Sequence, residues 1–120
     1  MSTQTTRQLS VNITTTNTWT QLKDIATAAV YAAPAGGRAD VRWLKAINFD
    51  TDVVTVEFAL SVTSTITDDE RLLPPISITQ YQQVRDTDGL VLPATWGLWA
   101  RAVGTTPNAT FLAFVLEIAP

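Results

Sequence analysis

The chain of 120 residues has no cysteine, no histidine and only two lysines, Lys23 and Lys45. Without cysteine there is no disulfide and no thiolate for zinc or for nucleophilic chemistry. Without histidine the commonest general base, the usual metal ligand and the usual pH switch are missing too. Charge is sparse at 16% of residues, and eight basic against eleven acidic side chains give a net charge of −3. The basic residues are scattered along the chain, the opposite of the concentrated positive surface that phosphate binding needs. Long apolar runs are also lacking: none approaches the roughly 20 residues of a membrane helix. The polar start Met1-Ser-Thr-Gln-Thr-Thr-Arg-Gln does not read as a signal peptide. These absences predict a protein made in the cytoplasm that is not an enzyme, needs no cofactor or metal, and binds neither nucleic acid nor membrane directly.

What is present is threonine in abundance, with Val, Ile, Leu and aromatics in short alternating runs, a mix that suits strands. The stretch Tyr31 to Phe49 has a Pro-Ala-Gly-Gly turn followed by alternation in which Val41, Trp43, Ile47 and Phe49 share one parity. Val53 to Val62 alternates as well. The short polar link Asp50-Thr-Asp52 predicts that the two runs form an antiparallel hairpin. Ala26 to Ala33 reads as a strand, since the break at Pro34 leaves too little length for a helix. Leu72 to Ile78 carries paired prolines and belongs on an edge or at a crossing between sheets. Short strands are expected over Thr79 to Arg85, Leu90 to Leu92 and Leu98 to Val103. Thr110 to Ile118 is apolar on both parities, which predicts a central strand covered on both faces.

About seven to nine strands with frequent turns and no convincing helix predict an all-β protein, an antiparallel two-sheet β-sandwich with a jelly roll as a candidate topology. Residues 1–18 are polar apart from Leu9, Val11 and Ile13. They are expected to form an extended N-terminal arm that adds a strand to a neighbouring subunit, leaving residues 19–120 as the sandwich domain.

Candidate sites are few. The carboxylates Asp40, Asp50, Asp52, Asp68, Asp69, Glu70, Asp86 and Asp88 fall mostly in turns, where Asp bonds its own backbone, and make no catalytic pair. Asp86-Thr-Asp-Gly89 has the opening spacing of a calcium loop, but Leu90-Val-Leu-Pro93 follows without further oxygen ligands, so it reads as a turn. Of the four tryptophans, Trp43 and Trp99 fall inside strands and are expected in the core. Trp96, in a glycine turn, is the better contact residue. Interface residues are therefore expected at Leu9, Val11, Ile13 and Trp19, at the acidic loop tip Asp68 and Asp69, and at Trp96.

A strand, then Ala33-Pro-Ala-Gly36, then an alternating strand ending at Asn48 and a valine-rich strand after it resembles a type of small virion protein of tailed phages. Leu73-Pro-Pro-Ile-Ser-Ile, Gly89-Leu-Val-Leu-Pro, Leu98-Trp-Ala-Arg-Ala and the closing Leu116-Glu-Ile118 continue the likeness, which spans about Tyr31 to Ile118. It departs at Thr95-Trp96-Gly97, where such proteins often carry a Gly-Asp turn. The resemblance implies a non-catalytic β-sandwich built into the virion. Among such roles it favours a capsid decoration (cement) protein, a homotrimer bridging units of the major capsid protein. A neck, tail or baseplate accessory protein is the first alternative. A carbohydrate-binding module of a receptor-binding tip, using Trp96, is the second.

Overall fold

The structure, a computed structural model, describes residues 3–72, 74–87 and 89–120. Met1 and Ser2 of the expected arm, Leu73 of the paired-proline stretch and Asp88 of the carboxylate set lie outside the described residues. Ten strands are formed: β1 Thr3–Ile13, β2 Thr20–Gln21, β3 Lys23–Asp24, β4 Arg38–Asn48, β5 Val54–Ser61, β6 Ile76–Ile78, β7 Gln83–Asp86, β8 Leu90–Pro93, β9 Gly97–Val103 and β10 Ala109–Ala119. The other regular piece is a 3-10 turn, Asp68–Glu70. One sheet runs β3-β1-β10-β4-β7, with β8 also paired to β4, and the other runs β2-β9-β5-β6. All pairings are antiparallel. The two sheets pack face to face, as the sequence predicts for an all-β sandwich.

Alternation explains which residues fill the space between the sheets. Leu9 and Ile13 of β1 and Phe111, Ala113 and Val115 of β10 point inward from the larger sheet. Val54, Val56 and Phe58 of β5 and Leu98, Ala100 and Ala102 of β9 meet them from the smaller one. Phe58 and Phe111 touch edge to face across the gap, centroids 5.3 Å apart at 83°, a favoured aromatic geometry.

The N-terminal segment differs from the expected arm. β1 pairs with β10 of its own chain over all 11 residues, Thr3↔Ala119 to Ile13↔Ala109. Leu9 and Ile13 are fully buried and Val11 packs against the core. The alternation Leu9, Val11, Ile13 needs an apolar surface to cover it, and the chain's own core supplies one.

The expected hairpin is also not formed, because β4 and β5 lie in different sheets. Alternation sets which residues share a face and is silent about the neighbouring strand. Here the buried Asn48 redirects the chain. Its side-chain amide donates to the carbonyls of Asp52 (2.8 Å) and Ile78 (3.0 Å), and its Oδ1 accepts from the Asp50 amide (2.8 Å). Those bonds tie the end of β4 to β6 of the opposite sheet and turn residues 49–53 into a crossing. Ala26 to Ala33 is likewise not a strand. It is a turn held by Ala28 N–H to Asp24 O and Asp24 N–H to Ala29 O, with one isolated bridge between Lys23 and Val30. β6 does sit on a sheet edge, where the prolines before Ile76 require it.

A β-bulge in β4 has the largest consequence. The β10 register passes from Phe114↔Trp43 to Val115↔Val41 and skips Arg42. On the other side Leu44 pairs with Asp86 and Val41 with Leu90, so the partner strand is interrupted, between β7 and β8, opposite the same point. One inserted residue reverses the facing of everything beyond it. Ala39 and Val41 are buried before the bulge, Leu44, Ala46 and Asn48 after it. Trp43 and Ile47 consequently leave the parity of Val41 and turn to the outer face. At the start of β4, Gly36 has φ +73°, and a Cβ on Gly37 would collide with the Ile118 carbonyl. The two glycines thus let the turn lie against β10.

Two changes test the placement of β1. Leu9→Ala is expected to lower unfolding free energy by about 2–5 kcal/mol in urea titration. Removal of residues 1–13 is expected to abolish the cooperative transition, whereas a detached arm would leave it unchanged.

Candidate interaction face

The outer face of the six-stranded sheet is built by the cross-strand register. Along the centre run Leu112, Phe114, Leu116 and Ile118 of β10, all half-buried. Their partners on β4 are Lys45, Trp43, Asp40 and Arg38 respectively. On the β1 side their partners are Ser10, Gln8, Thr6 and Gln4. Trp43 stacks on Phe114 with centroids 6.2 Å apart and planes inclined by 13°. The Arg85 guanidinium lies over the other part of this surface, 5.3 Å from the Trp43 ring centre, close enough for a cation–π contact. Ile47, paired with Thr110 and Gln83, extends the apolar stripe toward the end of the sheet. No element among the described residues covers this face.

Charge on the face is one-sided. Arg38, Lys45 and Arg85 follow the register onto it. Lys23 joins them opposite Ser10, and Arg42 stands exposed at the bulge. Among the described residues its acidic member is Asp40, whose Oδ1 accepts from Arg38 Nε at 3.1 Å. Arg38, Asp40 and Arg42 also line a shallow hollow of about 540 Å³ with Thr87, Gly89 and Val91. β1 contributes only uncharged polar groups here, Gln4, Thr6, Gln8, Ser10 and Asn12.

The three remaining basic residues are engaged in ion pairs. Arg101 and Arg71 hold Glu57, at 2.6 and 3.5 Å. Glu57 lies on the outer side of the smaller sheet and is only 2% exposed. Trp19 covers the pair, its ring centre 4.7 Å from the Arg101 guanidinium and 5.9 Å from that of Arg71. Arg7 bridges Asp24 (3.2 Å) and Glu117 (3.6 Å), and the Tyr31 hydroxyl donates to Glu117 at 2.9 Å. Burial, reinforced by that hydrogen bond and the adjacent carboxylate charge, pushes the Tyr31 hydroxyl well above its ordinary value. Both clusters work as clamps, one fastening the 62–71 loop to the smaller sheet, the other joining β1, β3 and β10. Among the described residues no set of three or more Asp or Glu side chains is placed to hold a metal ion.

The expected interface residues are not brought together. Leu9 and Ile13 are buried and the half-buried Val11 packs on the core, so this strand serves the chain's own core. Trp19 is half-buried and stacked on the two arginines. Trp96, expected at a loop tip, packs against the core, with its backbone bonded to Ala33. The positive φ of 71° at Thr95 is what turns the chain there. Asp68 and Asp69 do lie in an exposed loop, where Asp68 pairs with Arg71 at 3.6 Å. Of the tryptophans expected in the core, Trp99 is buried on the outer side of the smaller sheet, its indole N–H donating to Ser61 O at 3.2 Å. Trp43 is outside the core. The face built by Trp43, Leu112, Phe114, Leu116 and Ile118 was missed because a strand apolar on both parities reads as one covered on both sides. The adjacent pair Trp43-Leu44, two large apolar residues in succession inside an alternating run, was the available sign of the bulge.

Two measurements check the clamps. Arg101→Met leaves the Glu57 carboxylate buried with a weaker partner and is expected to cost about 3–5 kcal/mol, most of it recovered in Glu57→Leu/Arg101→Met. For Tyr31 the folded chain keeps its hydroxyl proton to higher pH than the unfolded chain, which loses it near the ordinary value of about 10. Its contribution is complete below that pH and lost as pH rises above it. Denaturation midpoints between pH 8 and 11 should therefore fall more steeply for the native chain than for Tyr31→Phe.

No family model matches this chain and no curated protein matches it.

Proposed function

We propose that this chain is a structural, non-catalytic protein of a tailed-phage virion, and specifically a capsid decoration protein whose units assemble on the shell through the outer face of the six-stranded sheet. The observation that carries the reading is the uncovered apolar stripe of Leu112, Phe114, Leu116 and Ile118 with Trp43 beside it. A contiguous apolar stripe rimmed by polar groups is the mark of a protein contact surface. Three strands of 11 residues, β1, β10 and β4, with the four-residue β7 and β8 along the edge of β4, spaced about 4.8 Å apart, present roughly 650 Å². That is close to the ~800 Å² per partner of a stable interface. An aromatic centre inside a polar rim is the arrangement in which a few residues dominate binding.

The sequence resemblance supplies the virion context and the sheet face supplies the means of attachment. The action is adhesive: burying the stripe against neighbouring units ties them together and raises the barrier to shell rupture. A neck, tail or baseplate position would use the same face. Trp96, on which the carbohydrate reading relied, is half-buried and packed against the core, and no observation favours that reading.

Cryo-electron microscopy of the particle tests the location, with density expected over junctions between capsid units. Density confined to neck or tail would contradict the decoration role. Phe114→Ser, which leaves the core untouched, is expected to cut incorporation by roughly tenfold or more, as for a hot-spot aromatic.

A further inference from the structure

Of the eight basic and ten acidic residues described, the sheet face carries five basic and one acidic, leaving three basic and nine acidic described residues for everything else. Two such faces meeting each other by a two-fold axis would set like charges together, which disfavours that pairing. The partner must instead present an apolar centre with an acidic rim.

The chain itself carries such a surface. At the crossing between the sheets, Phe49 is 43% exposed, Val53 54% and Tyr81 70%. The Phe49 and Tyr81 rings meet edge-on, 6.3 Å apart. Asp52 is exposed beside them, with Asp50 half-buried. Tyr81 has φ 61°, a left-handed conformation unusual for a bulky residue. Such strain held at an exposed aromatic is a pointer to function. The backbone there is anchored by Tyr81 N–H to Asn48 O at 2.6 Å, so the ring is presented by a fixed turn.

We infer that a second copy of this chain docks the Phe49, Val53, Tyr81 and Asp52 end onto the Trp43 and Phe114 face, framed by Arg42, Lys45 and Arg85. The inference rests on the reading of that face as an assembly surface and names its occupant. The contact is head to tail, since the two surfaces differ, and contacts of this kind close into a ring or continue as an open chain. Apolar residues meet at the centre, and acidic and basic rims meet around them. Association therefore weakens as salt rises.

Sedimentation velocity of the full chain tests this with charge reversal on each surface. Lys45→Glu/Arg85→Glu reverses the face and Thr51→Lys/Asp52→Lys reverses the end, all at partly or fully exposed positions. The native chain is expected to sediment above 13.1 kDa. Each variant alone should associate at least about tenfold more weakly. An equimolar mixture of the two should associate again, because each then offers the other a complementary pair. Circular dichroism confirms that the variants are folded, and Tyr81→Asn, compatible with the left-handed backbone, provides a second, uncharged test expected to weaken association. A native chain that stays monomeric overturns the inference, while the face can still be tested on the particle. Association lost with the face variant but retained with the end variant overturns the occupant and leaves the face standing. Association retained by both variants removes both readings.

Discussion

The edge-to-face contact of Phe58 and Phe111 is the point on which the sandwich turns, since it joins the middle of the smaller sheet to the middle of the larger one. Phe111 belongs to β10, which has β1 on one side and β4 on the other along nearly its whole length. A strand so placed must face the core with one side and the exterior with the other, and in β10 both sides are apolar. The inner side, Phe111, Ala113 and Val115, is satisfied by the fold. The outer side, Leu112, Phe114, Leu116 and Ile118, is left without a covering element among the described residues.

Much of the architecture was legible in the sequence because alternation reports directly on which residues share a face. The all-β character, the central place of β10 and the edge position of the Pro-containing β6 follow from residue pattern and proline chemistry alone. What could not be read was partnership. Alternation in β4 and β5 is compatible with a hairpin, and only the side-chain bonds of Asn48 to residues 50, 52 and 78 turn it into a crossing. In the same way, Leu9, Val11 and Ile13 announce a half-buried strand without saying whose core receives it.

The candidate site was less legible than the fold, for reasons that lie in two places. A single bulge at Arg42 exchanges the faces of β4, so Trp43 moves from expected core to the outer surface while Leu44 takes the inner position. Charge was misleading too, since basic residues scattered along the sequence converge once β3, β4 and β7 are laid side by side. Arg7, Arg71 and Arg101 are withdrawn into ion pairs with Asp24, Glu117 and Glu57. An acidic chain is thereby left with one basic, aromatic-centred face, which its average composition conceals.

The proposed role requires that this face be covered in the assembled particle. Hydroxyl-radical footprinting of the free chain and of the assembled particle, read by mass spectrometry, tests it most directly. Trp43, Phe114 and Leu116 are expected to be labelled in the free chain diluted until it is monomeric and protected in the particle, while the exposed Val62, in the loop after β5 of the smaller sheet, stays reactive in both. Equal labelling of Trp43 and Phe114 in the two states would contradict the account.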